Sequence, residues 1–112
     1  MADCLFCRII KKEIPSRAAH EDEQSYAFHD INPQAPTHIL IVPKKHVDGV
    51  AKLGAGDRDM AGQLIVQARR IAESLGLKSY RLVFNSGPDA GQSVFHLHLH
   101  LLGGRRMSWP PG

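Results

Sequence analysis

Apolar positions recur along the chain in two periods. Leu5, Phe6, Ile9 and Ile10 stand at helical spacing and Pro15 closes the stretch, so a short helix is predicted between Leu5 and Ile14. Arg17 to Glu21 reads as a brief strand. Ser25 to Ile31 alternates weakly and stops at the turn dipeptide Asn32-Pro33, and His38 to Val42 is a β-branched apolar run closed by Pro43, predicted as a buried strand. The helical period then returns. Met60, Ala61, Leu64, Ile65, Ala68, Ile71, Ala72 and Leu75 form one stripe, with Asp57 placed as N-cap and Gly76 as the stop. Arg81 to Asn85 reads as a strand, Ser86 to Gln92 as a glycine-bearing loop, and Ser93 to Leu102 as a last strand. Strands grouped on either side of one long helix predict an α+β fold, an antiparallel sheet covered by a helix.

A chain of 112 residues accommodates one domain, residues 1–112, and no repeat or low-complexity tract divides it. At this size a single core buries a modest share of the surface, so pairing with a second copy would help. With 43% apolar residues, 10 glycines and 7 prolines, the composition is that of a globular protein. A net charge of +3 on scattered basic residues favours an anionic ligand over a nucleic-acid groove, and no nucleic acid is expected as partner. No run approaches the roughly 18 apolar residues that cross a membrane. The start, Met1-Ala2-Asp3-Cys4, lacks the layout of a signal peptide, so a cytoplasmic protein with no membrane partner is expected. The only cysteines, Cys4 and Cys7, form a Cys-x-x-Cys pair, which in a reducing compartment points to metal or redox chemistry.

The densest chemistry is in His96-Leu97-His98-Leu99-His100-Leu101. In a strand, alternate side chains share a face, so the three imidazoles would stand in a row while the leucines enter the core. A lone strand histidine is usually a satisfied polar residue and two alternating ones often bind metal, but three in alternation are hard to explain as packing. Imidazole is largely neutral near pH 7, nucleophilic, and able to form a hydrolysable bond to phosphorus. The loop feeding the strand offers Asn85, Gly87, Gly91, Gln92 and Ser93, whose backbone and side-chain donors suit phosphate oxygens. The expected reaction is therefore nucleophilic attack at the phosphorus of a phosphate group. A metalloenzyme with all three histidines on one ion remains open, although residues along a single strand converge poorly. A nucleotide-binding module with vestigial activity also remains open.

The stretch His96 to Leu102 resembles the signature of the histidine triad family, and the likeness runs over nearly the whole chain. It includes Ala27-Phe28-His29-Asp30-Ile31, Pro33 to His38, Val42-Pro43-Lys44-Lys45-His46, Gly91-Gln92-Ser93-Val94 and the tail ending Trp109-Pro110-Pro111-Gly112. That tail is similar to the Hint branch, the histidine triad nucleotide-binding proteins. The resemblance implies a five-stranded antiparallel sheet with one long helix and a short N-terminal helix. It implies a homodimer pairing two such sheets into a ten-stranded one, with residues 103–112 near the interface. It further implies hydrolysis of purine nucleoside 5′-phosphoramidates, AMP and GMP derivatives, through a nucleotidyl-histidine on His98. Carried over by position, His100 contacts the phosphate, Asn85 and Ser93 bond the phosphate and leaving-group side, and His38 lies behind the triad, with His96 the remaining triad member. Asp30 would accept the ribose hydroxyls, an arrangement suited to an ionised carboxylate. Phe6, Phe28 and Ile31 would line the base pocket, with Gly91, Gln92 and Val94 completing the nucleotide site. No catalytic cofactor is implied. Relatives with the same cysteine pair bind structural zinc, which by position would fall to Cys4, Cys7, His46 and His96 in a closed tetrahedral set. Where His96 holds metal, it is not free to relay protons.

Overall fold

Alternation sorts each strand's residues onto two faces, and in the computed structural model, which describes residues 4–112, both faces are covered. The N-terminal sequence read above for a leader lies, apart from Cys4, outside the described residues. The chain runs α1 (Leu5–Ile10), β1 (Ala18–Glu21), β2 (Ser25–His29), β3 (Thr37–Pro43), α2 (Arg58–Ser74), β4 (Tyr80–Val83) and β5 (Leu99–Gly103), with short 3₁₀ turns between β3 and α2 and before β5. The strands form a five-stranded antiparallel sheet in the order β1-β2-β3-β5-β4. This is the α+β architecture expected from the sequence.

One face carries Ala27, Ile39, Ile41, Leu99 and Leu101, which pack with Leu64, Ala68, Ile71 and Ala72 of α2 into the main core. The other carries Tyr26, Phe28, Leu40 and Val42 and is closed by Phe6 and Ile9 of α1. The two helices therefore cover opposite faces, and the smaller core under α1 floors the site. The predicted stripe on α2 holds for most of its members, but Ile65 and Leu75 are exposed.

Both helices end in the paired backbone bonds that close a C-terminus through a left-handed residue. In α2, Gly76 has φ +72 and Leu77 N donates to Ala72 O at 2.9 Å. In α1 a lysine takes the glycine's place. Lys12 has φ +66, Glu13 N donates to Arg8 O at 2.9 Å, and the Lys12 ammonium bonds Glu21 at 2.8 Å above the Tyr26 ring. Helix α1 thus stops at Ile10 and not at Ile14. Asp57 sits at the start of α2, but its carboxylate accepts from Gly54 N and Lys45 and makes no side-chain bond to the helix.

The last strand is shorter than the expected Ser93 to Leu102. Pairing between β3 and β5 runs out at Ile41↔Leu99, although β3 continues to Pro43 in its pairing with β2. His96, where the backbone bends, and His98 therefore lie outside the strand ladder. Leu97 N donates instead to Val47 O at 2.7 Å, which keeps Leu97 in the core and the alternation intact.

Candidate active site and metal centre

The histidines of the triad separate into two groups. His98 and His100 face a cleft of about 340 Å³ between α1, the end of β2 and the segment before β5. Phe6, Phe28, Asp30, Ser93 and Val94 share its wall, and Ile31 stands at its rim. His96, fully buried, points away from the cleft toward Cys4 and Cys7.

Hydrogen-bond partners fix the proton on each ring. A carbonyl oxygen only accepts, so His98 Nδ1, 2.7 Å from His96 O, is an N–H donor, and Nε2 carries the lone pair. Gln34 N–H only donates, at 3.0 Å, so His38 Nδ1 is an acceptor and its proton is on Nε2. That Nε2–H donates to His100 Nδ1 at 2.9 Å, which in turn leaves the His100 proton on Nε2. His100 Nε2 is buried and has no partner among the described residues. A buried N–H without an acceptor is costly and calls for one from a ligand. Burial holds His98 and His38 below the ordinary imidazole range, the Asp30 charge opposing this at both. Burial, with His98 and His38 as neighbours, lowers His100 to about 4. All three rings are therefore neutral near pH 7, with a lone pair on His98 Nε2 and an N–H without a partner on His100 Nε2.

The Phe6 ring stands edge-on to His98 at 5.1 Å and to Phe28 at 5.4 Å, giving an apolar wall beside the nucleophilic nitrogen. Asp30 Oδ1 accepts from Asn32 N at 2.8 Å, while Oδ2 lies 3.5 Å from His38 Nε2. Among the expected nucleotide ligands, Asn85, Gly91 and Gln92 do not line the cleft. The Gln92 side chain is buried and committed, accepting from Gly87 N and donating to Asp48 O and Val94 O. In this way it braces the loop. Ile31, expected to line the base pocket, does border the cleft, but from its exposed rim. Sequence reasoning missed Ile9, Ile14 and Leu40, which floor the cleft. It also missed Pro43 O and Asp48, which orient the second pair of histidines. Backbone atoms leave no trace in residue identity, and Asp48 offered only its place two positions after His46.

The second group is built for a cation. His96 Nε2 donates to Pro43 O at 2.8 Å and His46 Nε2 to Asp48 Oδ1 at 2.8 Å, so both Nδ1 lone pairs point inward and lie 3.1 Å apart. Cys4 Sγ is 3.4 Å from His96 Nδ1, and Cys7 Sγ is 3.4 Å from His46 Nδ1. Burial and the neighbouring Cys4 push the Cys7 thiol up. Two opposed lone pairs and two crowded sulfurs repel unless a positive charge sits between them. The four ligand atoms, all within 4.8 Å of one another, fit a tetrahedral metal with oriented outer nitrogens. The Cys7 amide donates to Cys4 Sγ at 3.3 Å, so the Cys-x-x-Cys turn doubles as the cap of α1.

The sequence pattern that defines the HIT domain matches residues 11–107. A 14 kDa zinc-binding protein of Zea mays is 53% identical over 111 residues, covering 96% of this chain and 87% of that protein. The structure of a HIT family hydrolase from Legionella pneumophila superposes with a TM-score of 0.96 at 48% identity, covering 98% of this chain and 100% of that one. A histidine triad nucleotide-binding protein from Candida albicans superposes at 0.83 with 32% identity, covering 96% and 83% of the two chains.

Proposed function

The chain belongs to the HIT domain family, and from that premise we propose that it hydrolyses purine nucleoside 5′-phosphoramidates through a covalent nucleotidyl intermediate on His98, as in the Hint branch. The observation that carries this reading is the pairing, in one cleft, of a neutral nucleophile at His98 Nε2 with an unpartnered N–H at His100 Nε2. Support also comes from the likeness to a HIT family hydrolase and to a histidine triad nucleotide-binding protein.

In the first step His98 Nε2 attacks phosphorus and the bond to the leaving nitrogen breaks. The amine departs with a proton taken from solvent at the open mouth. The ring becomes a phosphorylated imidazolium, whose charge the His96 carbonyl faces at Nδ1. His100 Nε2–H donates to a phosphoryl oxygen, where negative charge grows in the transition state. Water then attacks phosphorus, the Nε2–P bond breaks, and the nucleoside monophosphate leaves while the proton lost by water passes to solvent. Ser93 contributes a hydroxyl on the leaving-group side and Asp30 accepts the ribose hydroxyls. Phe6, Phe28 and Val94 hold the base, with Ile31 at the rim. Asn85 and the Gly91 backbone, which lie close together, would bond the phosphate from the loop before β5.

Cys4, Cys7, His46 and His96 would hold a structural zinc, the metal named for the Zea mays relative. Bound there it supplies a fixed anchor between α1 and the approach to β5. With its ring so committed, His96 serves catalysis through its carbonyl. Zinc thiolates of this kind suit the reducing cytoplasm. The chain would work as a homodimer, a reading supported by the edge position of β4 and by exposed Ile65, Val66 and Tyr80. Trp109, 82% exposed in the isolated chain, offers a further anchor within the tail 103–112.

Adenosine 5′-phosphoramidate tests the reading. Purified protein should release AMP, and chelator in the assay should not abolish release, since no step needs a catalytic metal. Absence of AMP from this substrate and its guanosine counterpart would refute the proposal.

A further inference from the structure

The proton positions that equip His100 trace back to a residue outside the cleft. His100 Nε2 is a donor because His38 donates to its Nδ1, and His38 does so because Gln34 N–H occupies the other side of its ring. Residue 34 is gripped from its opposite end as well: Arg105 Nε donates to Gln34 O at 3.0 Å, while the same guanidinium bonds Arg106 O at 3.1 Å. Next to it, Gly104 has φ +90, and a Cβ there would come within 2.9 Å of Pro36 Cβ. The tail therefore lies directly against the loop from Asn32 to Pro36, and a side chain at residue 104 would push it away. Gln34 Nε2 ties the loop to itself through Asn32 O at 3.0 Å, and Asn32 N caps the Asp30 carboxylate. One short loop thus orders both the relay to His100 and the proposed ribose acceptor.

We propose that Arg105 is a positioning residue: by clamping Gln34 from the C-terminal tail it holds the Gln34 amide on His38 and so keeps the His100 proton on Nε2, facing the phosphate. The catalytic consequence rests on the hydrolase reading above. The tautomer consequence does not. Without the clamp the loop would lift, His38 Nδ1 would lose its donor, and both rings could exchange protons between their nitrogens. Arg105 is exposed, so its substitution tests position without removing core.

The experiment is ¹⁵N–¹H correlation of the histidine rings in the full chain, read beside turnover of adenosine 5′-phosphoramidate. Wild type should show His38 and His100 as Nε2–H tautomers. Arg105→Met should move both toward averaged nitrogen shifts and lower kcat about tenfold, the scale of one relay hydrogen bond, with KM little changed. Arg105→Lys, which still donates to a carbonyl, should restore both readouts in large part. Gly104→Ala, which pushes the same loop from Pro36, should mimic Arg105→Met. Wild-type tautomers in Arg105→Met overturn the proposal, whatever happens to turnover, because Arg105 would then act on substrate directly or not at all. An Nδ1–H His100 in wild type overturns it too. Tautomer shifts as expected in a protein that turns over no nucleotide refute the hydrolase reading and leave the clamp standing.

Discussion

Two pairs of histidines lie in this small chain at nearly the same separation, and their protons run opposite ways. In His46 and His96 the outer nitrogens donate to a carboxylate and a carbonyl, so the inner lone pairs face each other at 3.1 Å. In His38 and His100 a backbone amide starts the sequence, so each ring passes a donor forward and the last N–H, at His100, is left for a ligand. Acceptors behind an imidazole make it a metal ligand; a donor behind it makes it a donor in front. The residue type is the same and the hydrogen-bonding partner behind it decides the chemistry. His96 links the metal pair to the cleft, its ring paired with His46 and its carbonyl accepting from His98.

Removing the nucleophile should have the largest effect. His98→Ala should lower turnover roughly 10³-fold or more while the protein stays folded, as loss of an attacking group does elsewhere. Turnover near wild type in this variant would break the assignment of the cleft. His100→Ala removes one donor to the developing charge and should cost on the order of 10²-fold in kcat, the usual scale for such a donor. An effect confined to KM would show that His100 binds the ground state only.

The metal pair predicts a different signature. Cys7→Ser should release zinc, measured by metal analysis, and lower Tm by several degrees, about the shift that 1–2 kcal/mol produces at this size. Turnover should fall only a few-fold, through the looser His96 carbonyl. A protein that loses zinc with Tm unchanged would show that the four residues do not anchor the fold. The smallest effect is on pH. His38 and His100 titrate below the ordinary 6.5 in the folded chain, His100 at about 4, both held down chiefly by burial. Between those values the unfolded chain binds more protons, so stability present above pH 6.5 is lost progressively as pH falls toward 4. Urea unfolding at pH 7, 5.5 and 4.5 should show that decline. His100→Ala should flatten it.

Much of this was legible in the sequence because periodicity and spacing are properties of side chains. The sheet, the long helix and the separation of leucines from histidines follow from alternation at 96–101 and from the stripe on α2. The four metal-site residues were implied by position from the resemblance, and the structure brings them together. What could not be read there depends on backbone atoms and on exposure. Lys12 takes a left-handed conformation that suits glycine, held by Glu21 and Tyr26, so α1 ended early. Gln92 looked like a ligand because amides bind phosphates, yet its side chain holds its own loop. Ile65 and Ile31 fit apolar patterns but are exposed, the first on α2, the second at the cleft rim. The Gln34 amide, on which the His100 proton depends, has no counterpart in residue identity.

The most direct test of the account is to trap the intermediate. Protein mixed with adenosine 5′-phosphoramidate and quenched in base within the first turnover should gain the mass of one adenylyl group. Peptide mapping should place it on His98, and acid should remove it, as it removes an N–P bond. An adenylyl group on His96, His100 or any other residue would contradict the account. So would rapid turnover with no adduct at any quench time, together with full activity in His98→Ala.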